Sequence, residues 1–301
     1  MQRSGSGAVT TQTRALRAIL RQDGLVPLVG AYDVLSAKLA QRSGFPALHV
    51  GGYNLSAAHL GLPDVGYLTM AENLDVLRRI AGAVEIPVIA DGDDGYGNYL
   101  NVGRLIRELE RAGVAGVHLE DQVFPKRCGH MAGKRVVPTE AMVTKIRAAA
   151  DARRDPDFVL IARTDAIAVT GFGDAIARAQ AYAEAGADVI FVEAPETPEQ
   201  AAAIPRAVGR PALFNWCYGG RSPTPTFAEV ASLGYKFILL TDVLFAVSRT
   251  LTDLYDEVRR TGTYAGFADR MLPFDDFNRL VGLDEVARLD RKYARAERGE
   301  R

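Results

Sequence analysis

The stretch Pro87-Val-Ile-Ala-Asp91-Gly-Asp93-Asp94-Gly-Tyr-Gly97, continuing through Asn101–Arg111 and Ala112-Gly113 to Gly116-Val-His-Leu-Glu120, decides the fold. Pro87–Asp91 and Gly116–Glu120 are short apolar runs without alternation, as expected of strands buried on both faces of a parallel sheet. Asn101–Arg111 has helical spacing, and Ala112-Gly113 closes it, because glycine suits the left-handed position past a helix C-terminus. Together these pieces make one βαβ unit.

The unit recurs along the chain. Further strands are expected at Val26–Ala31, Ala47–Gly51, Phe158–Ala162, Asp188–Glu193, Ala212–Asn215 and Lys236–Thr241. Thr139–Asp151 and Gly173–Ala185 have helical spacing, and Ser43-Gly44, Ala185-Gly186 and Leu233-Gly234 repeat the closing signal. Eight strands over about 215 residues match a (β/α)8 TIM-type barrel, whose usual span is about 250 residues. A doubly wound open sheet is the competing fold, but no Gly-x-Gly-x-x-Gly follows the first strand. The expected organisation is a barrel over 1–260 and a C-terminal helical tail over 261–301. In that tail Gly266–Leu272 and Leu283–Ala296 read as helices, and the charged residues from about Arg295 as a frayed end.

Composition narrows the class. The 301 residues carry 36 Lys+Arg against 37 Asp+Glu, a formal net charge of −1. No basic excess is available to displace the counterions of a nucleic acid. Two cysteines, Cys128 and Cys217, make no disulfide framework and point to a reducing compartment. No run of about 18 apolar residues is present, and Met1–Thr13 lacks the apolar core of a signal peptide. A cytoplasmic protein without membrane or nucleic-acid partners is the expectation.

The ends of the strands carry the chemistry. In order they deliver Asp33, Gly51-Gly52-Tyr53-Asn54, Asp91 with Asp93-Asp94, Glu120-Asp121, Arg163 with Asp165, Glu193, Asn215 and Thr241-Asp242. One such residue is turn chemistry. A full set converges on the C-terminal face, where barrel enzymes keep their active sites. Asp91 and Asp93 lie on one side of an extended chain, and Glu120 stands one strand further round, a set of hard oxygens suited to Mg²⁺. Read alone, the segment is equally a glycine-rich turn using aspartates for backbone hydrogen bonds. Arg163 and Glu193 suggest an anionic substrate bridged between metal and guanidinium.

Lys126-Arg127-Cys128-Gly129-His130 follows the fourth strand. Flanking cations are expected to lower the pKa of Cys128 and favour a nucleophile or general acid–base; a buried packing thiol is the plainer reading. No second Cys or His stands at zinc spacing. Gly129 and Gly133 bracket a stretch able to close over the site. Cys217 has no comparable company and reads as structural.

These motifs resemble the isocitrate lyase / phosphoenolpyruvate mutase superfamily. The resemblance rests on Lys126–His130, Gly61-Leu62-Pro63-Asp64, Asp91-Gly-Asp93, His118-Leu119-Glu120-Asp121-Gln122 and Ala162-Arg163-Thr164-Asp165-Ala166, in order between about Leu25 and Val258. It implies a barrel, usually a homotetramer exchanging a C-terminal helix, with Mg²⁺ (Mn²⁺ as the alternative) and a small carboxylate substrate. By resemblance, Asp91 binds the metal directly, and Asp64, Asp93 and Glu120 hold its waters. Tyr32, Asp33 and the turn Gly51, Gly52, Tyr53 resemble the substrate carboxylate pocket. Arg163 resembles the carboxylate-binding arginine, with Gly129, Glu193, Asn215 and His130 lining the rest. Cys128, Lys126, His130, Glu120 and Arg163 form the expected catalytic set.

The implied activity is cleavage of a 2-hydroxy di- or tricarboxylate of the 2-methylisocitrate, isocitrate or alkylmalate type, with Cys128 protonating the departing carbanion. A phosphonomutase, an oxaloacetate hydrolase and a non-catalytic organic-acid-binding barrel are the alternatives. Departures bear on the substrate. Gly51 replaces the usual serine, Met131 follows His130, and Trp216-Cys217-Tyr218-Gly219-Gly220 follows Asn215 in place of the common glutamate. A gap-free alignment sets Phe245 where a substrate arginine is usual, which argues for a smaller or more apolar acid than a tricarboxylate.

Overall fold

The computed structural model describes residues 6–297. Eight strands, β1 (Val26–Gly30), β2 (Ala47–Val50), β3 (Val88–Asp91), β4 (Gly116–Glu120), β5 (Val159–Thr164), β6 (Val189–Val192), β7 (Ala212–Trp216) and β8 (Phe237–Leu240), run in chain order. Each pairs in parallel with the next and β8 closes on β1, giving the expected (β/α)8 barrel. Their ends differ from the sequence expectation by a residue or two. The difference matters at β5, which runs through Thr164 because Glu120 pairs with Arg163 and Thr164 with Val192. Arg163 is therefore a strand residue.

Alternation along each strand builds two cores. In β5, Leu160 faces the helices, while Val159 and Ile161 join Ile89, Val189, Phe191 and Phe237 inside the barrel. The helices Tyr99–Ala112, Thr139–Ala152 and Phe172–Glu184 fall where helical spacing predicts them. Their neighbours start at sequence-legible capping boxes, Thr69 with Glu72 and Thr226 with Glu229. Gly44, Gly113, Gly186 and Gly234 all adopt positive φ, as the closing signals predict.

A helix at Ser6–Arg21 was not anticipated, although Leu16, Ile19 and Leu20 stand at helical spacing. Leu16 is fully buried against the inner core, with Ile19 and Leu20 beside it. Asp188 clamps it: Oδ1 accepts Arg17 Nη1 at 2.7 Å, and Oδ2 accepts Arg153 Nη1 at 2.8 Å and the Leu160 N–H at 2.9 Å.

The chain divides into two compact units, Met1–Val243 and Leu244–Arg301. The second contains most of the helix Val243–Thr261, then a 3-10 turn at Ala265–Arg270 and helices at Phe274–Leu280 and Leu283–Glu297. The helix expected at Gly266–Leu272 is thus a shorter, tighter turn. Pro273 disfavours helical backbone at Leu272, and the α-helix begins only after it. The charged residues after Glu297 and the start of the polar N-terminal stretch, Met1–Gly5, lie outside the described residues. Among the described residues no helix is long and apolar enough to cross a membrane.

Replacing Asp188 with alanine strands Arg17 and Arg153 and is expected to cost about 3 kcal/mol. Burial pushes the Asp188 pKa up, but the bonds from Arg17 and Leu160 outweigh it and hold the pKa below its ordinary value. Its contribution is therefore full above the usual carboxylate pKa of about 3.9 and is lost as pH falls below that value. Urea unfolding of wild type and Asp188→Ala at pH 7 and pH 3 should show a gap that narrows in acid; a constant gap would refute this assignment.

Candidate active site

The C-terminal strand ends bring two groups of side chains together. In the first, Lys126 Nζ lies 2.6 Å from both Asp64 Oδ1 and Asp93 Oδ1, with all three side chains buried. Asp91, ending β3, accepts the Gly52 N–H at Oδ2 and the Asp93 N–H at Oδ1, each at 2.9 Å. The bond to Asp93 and one from the Tyr96 N–H to Asp94 Oδ1 show that the segment is also the aspartate-stitched turn it resembles. A Cβ on Gly52 would lie only 3.2 Å from Asp93 Oδ1 and 3.3 Å from Lys126 Nζ, so glycine lets the β2 turn approach these charges.

The second group centres on Arg163. Its Nε and Nη2 donate to Asp165 at 2.9 and 3.1 Å, while Glu120 Oε2 lies 3.4 Å and Glu193 Oε1 3.7 Å away. Asn215 Nδ2 donates to Glu193 Oε1 at 3.1 Å. His130 reaches in from the loop, with Nε2 3.4 Å from Glu193 Oε1. Its Nδ1 accepts the Arg221 N–H at 3.1 Å, which assigns the proton of a neutral ring to Nε2. The loop is shut on this group: a Cβ on Gly129 would collide with Glu193 Oε1 and Arg163 Nη2.

Electrostatics corrects one expectation. The Cys128 pKa is pushed up to about 11, chiefly by burial, where the sequence suggested lowering. The flanking cations do not serve the thiol. Lys126 is spent on Asp64 and Asp93, and Arg127 donates to the Ala132 carbonyl at 3.3 Å. Cys128 is therefore a thiol at neutral pH, fit to donate a proton. Cys217 also faces ionisable groups, with Sγ 3.9 Å from Asp242 Oδ1, and its pKa is pushed up to about 12 by burial and then by Asp242.

The acids suit a hard cation in chemistry. Burial drives the Glu120 pKa well up against the pull of Arg163, and Glu120 Oε1 has no hydrogen-bond partner among the described residues. Burial also raises Asp91, but His118, Lys126 and Arg163 outweigh it and hold Asp91 well below the carboxylate range. Among the described residues no three His, Cys, Asp or Glu side chains gather around one point. The anionic Asp91 and the unpartnered Glu120 Oε1 suit Mg²⁺, which takes one or two carboxylates and keeps several waters.

Other predicted residues have contacts of their own. Asp33 caps the helix Val34–Arg42, accepting the Ser36 N–H at 2.7 Å. The Tyr32 carbonyl faces His59 Nε2 at 2.8 Å. Tyr53 is half-buried; burial, then Cys128, Cys217 and Asp242, raise its pKa, so its hydroxyl stays protonated beside both thiols. Sequence reasoning missed Asp165 and Lys134 as site residues. Asp165 was legible as the residue two after Arg163, on the same side of an extended chain. It also missed the stacked His49–His118 pair beneath Asp91, with Nε2 atoms 2.9 Å apart. Burial lowers both pKa values, His49 to about 3, so both rings are neutral.

Comparison with known proteins follows the same lines. The family model described as phosphoenolpyruvate phosphomutase matches residues 16–258. The chain is 44% identical over 280 residues to 2,3-dimethylmalate lyase of Eubacterium barkeri, covering 93% of this chain and 97% of that one. It is 38% identical over 287 residues to 2-methylisocitrate lyase of Escherichia coli (strain K12), covering 94% and 97%. A solved phosphonopyruvate hydrolase in complex with oxalate and Mg²⁺ superposes with a TM-score of 0.86 at 32% identity, over 94% of this chain and 99% of that one. The chain belongs to the phosphoenolpyruvate phosphomutase family and is an enzyme of the isocitrate lyase / phosphoenolpyruvate mutase superfamily.

Proposed function

We propose that the protein is a Mg²⁺-dependent carbon–carbon lyase. It cleaves a 2-hydroxy di- or tricarboxylate into a 2-oxo acid and a second carboxylic acid. The observation that carries this reading is the half-buried Cys128 on a loop packed against Arg163 and Glu193, where burial raises the thiol pKa so that it keeps its proton. A base takes the 2-hydroxyl proton, and the C2–O bond becomes the carbonyl of the 2-oxo acid. The C2–C3 electron pair leaves as an enolate-like carbanion, which a group still holding its proton at neutral pH must quench. An ordinary carboxylate would already be ionised. Arg163 holds a substrate carboxylate and faces the developing charge, its orientation set by Asp165. Lys126 remains an ammonium between Asp64 and Asp93 and serves as a charge partner.

Asp91 would hold the metal, with Asp93, Asp64 and Glu120 binding its waters. When bound, the ion supplies Lewis-acid charge for the substrate's oxygens. The family description also names a phosphomutase, so the assay must separate the two chemistries. The 44% identity to 2,3-dimethylmalate lyase supports carbon–carbon cleavage, although a carboxyvinyl-carboxyphosphonate phosphorylmutase of Arabidopsis thaliana is 42% identical. We further propose a homotetramer, because the C-terminal unit leaves Tyr255, Phe274 and Val286 at 63%, 81% and 60% exposure, and a cytoplasmic location, which the two free cysteines support.

Incubation with Mg²⁺ and alkylmalates, methylisocitrate or isocitrate should release pyruvate or glyoxylate. Absence of any 2-oxo acid, with a new C–P bond in phosphorus NMR from a phosphoenolpyruvate-type substrate, would overturn the lyase reading. Cys128→Ser should lower kcat by at least about a hundredfold while oxalate still binds in calorimetry; full activity would remove the thiol from the mechanism. EDTA treatment should abolish turnover and added Mg²⁺ restore it, whereas unimpaired activity after thorough metal removal would refute the metal assignment. Light scattering coupled to size exclusion should give a tetramer, and a monomer at micromolar concentration would refute the assembly.

A further inference from the structure

We propose that Lys134 is a positioning residue that latches the Cys128 loop shut and ties it to the carboxylate orienting Arg163. The loop leaves the barrel through a closed neck. Gln122 bridges Val136, and the Val123 N–H donates to the Arg135 carbonyl at 2.9 Å. Lys134 stands at that neck and reaches inward. Its ammonium donates to the Gly129 carbonyl, next to Cys128, and to Asp165 Oδ1 at 2.9 Å. The Lys134 side chain is 1% exposed and that of Asp165 is 0% exposed.

Asp165 is the junction. It grips Arg163 through two hydrogen bonds, and its own N–H donates to Asp121 Oδ1 at 2.9 Å. Asp121 is held in turn by the Thr164 hydroxyl at 2.7 Å and the Tyr182 hydroxyl at 2.9 Å. One ammonium therefore connects the backbone beside the thiol to the anchored carboxylate that aims the guanidinium. Lysine suits the task, since it offers three donors from a compact charge on a flexible stem. Opening the loop breaks the bond to the Gly129 carbonyl, and it breaks the bond to Asp165 as well when the ammonium swings out with the loop. Closure thus assembles the thiol and the guanidinium in one event.

Iodoacetamide reads this latch without any substrate, and so independently of the lyase reading. In the full-length protein, alkylation of Cys128 is followed by peptide mass mapping in wild type, Lys134→Met, Lys134→Arg and Asp165→Asn. Lys134→Met should speed Cys128 alkylation by about ten- to a hundredfold, the range expected for losing a buried hydrogen bond from a charged group. Lys134→Arg should restore part of the protection. Asp165→Asn should expose Cys128 similarly, and the double variant should be little faster than either single one. With a cleaved substrate in hand, kcat should fall more than KM rises. A cooperatively folded Lys134→Met or Asp165→Asn protein alkylated at the wild-type rate would overturn the proposal. Failure of both to fold would also overturn it, by making the lysine a structural anchor.

Discussion

The site is organised by the fork between Arg163 and Asp165 at the end of β5. A buried guanidinium and carboxylate are costly to desolvate, and only close pairing with further hydrogen bonds offsets that cost. Asp165 meets the condition by accepting from Arg163, Lys134 and, through its own N–H, leaning on Asp121. Arg163 meets it with Glu120 and Glu193 on either side and the Phe191 ring 5.1 Å below. Remove the fork and three strand ends and one loop lose their common reference.

Charge explains why the acids and cations sort as they do. Lys126 and Lys134 bracket the loop and each is neutralised inside the barrel mouth, the first by Asp64 and Asp93, the second by Asp165. Neither is left to ionise the thiol between them. Burial then decides the state of Cys128, and the outcome is a thiol that keeps its proton at neutral pH. A stretch whose flanking cations suggest a thiolate in one dimension holds a protonated thiol in three.

That contrast marks how far the sequence was legible. Strand order and barrel closure were readable because strands buried on both faces leave long apolar runs, and glycine marks each return of the chain. The strand-end acids, Arg163, Glu193 and Asn215 were readable because parallel strands must deliver them to one face. The direction of the lysines was not, since adjacency along the chain says nothing of which carboxylate a flexible ammonium finds. Asp33 shows the same limit: a strand-end aspartate and a helix cap look identical until the Ser36 N–H is seen to bind it. The His49–His118 stack was hidden for another reason, its members being 69 residues apart and joined only by barrel closure.

The clamp on the first helix bears on how the chain is made. Arg17 and Asp188 are 171 positions apart, so the ribosome must add the intervening residues before the pair can form. At about 5–20 residues per second that delay is roughly 10–30 s. Throughout it Leu16, Ile19 and Leu20 have no inner core to enter, because Val189, Phe191 and Phe237 are not yet made. This helix is thus seated only after the strands that receive it are made, and until then its apolar stripe stays open to a nascent-chain chaperone.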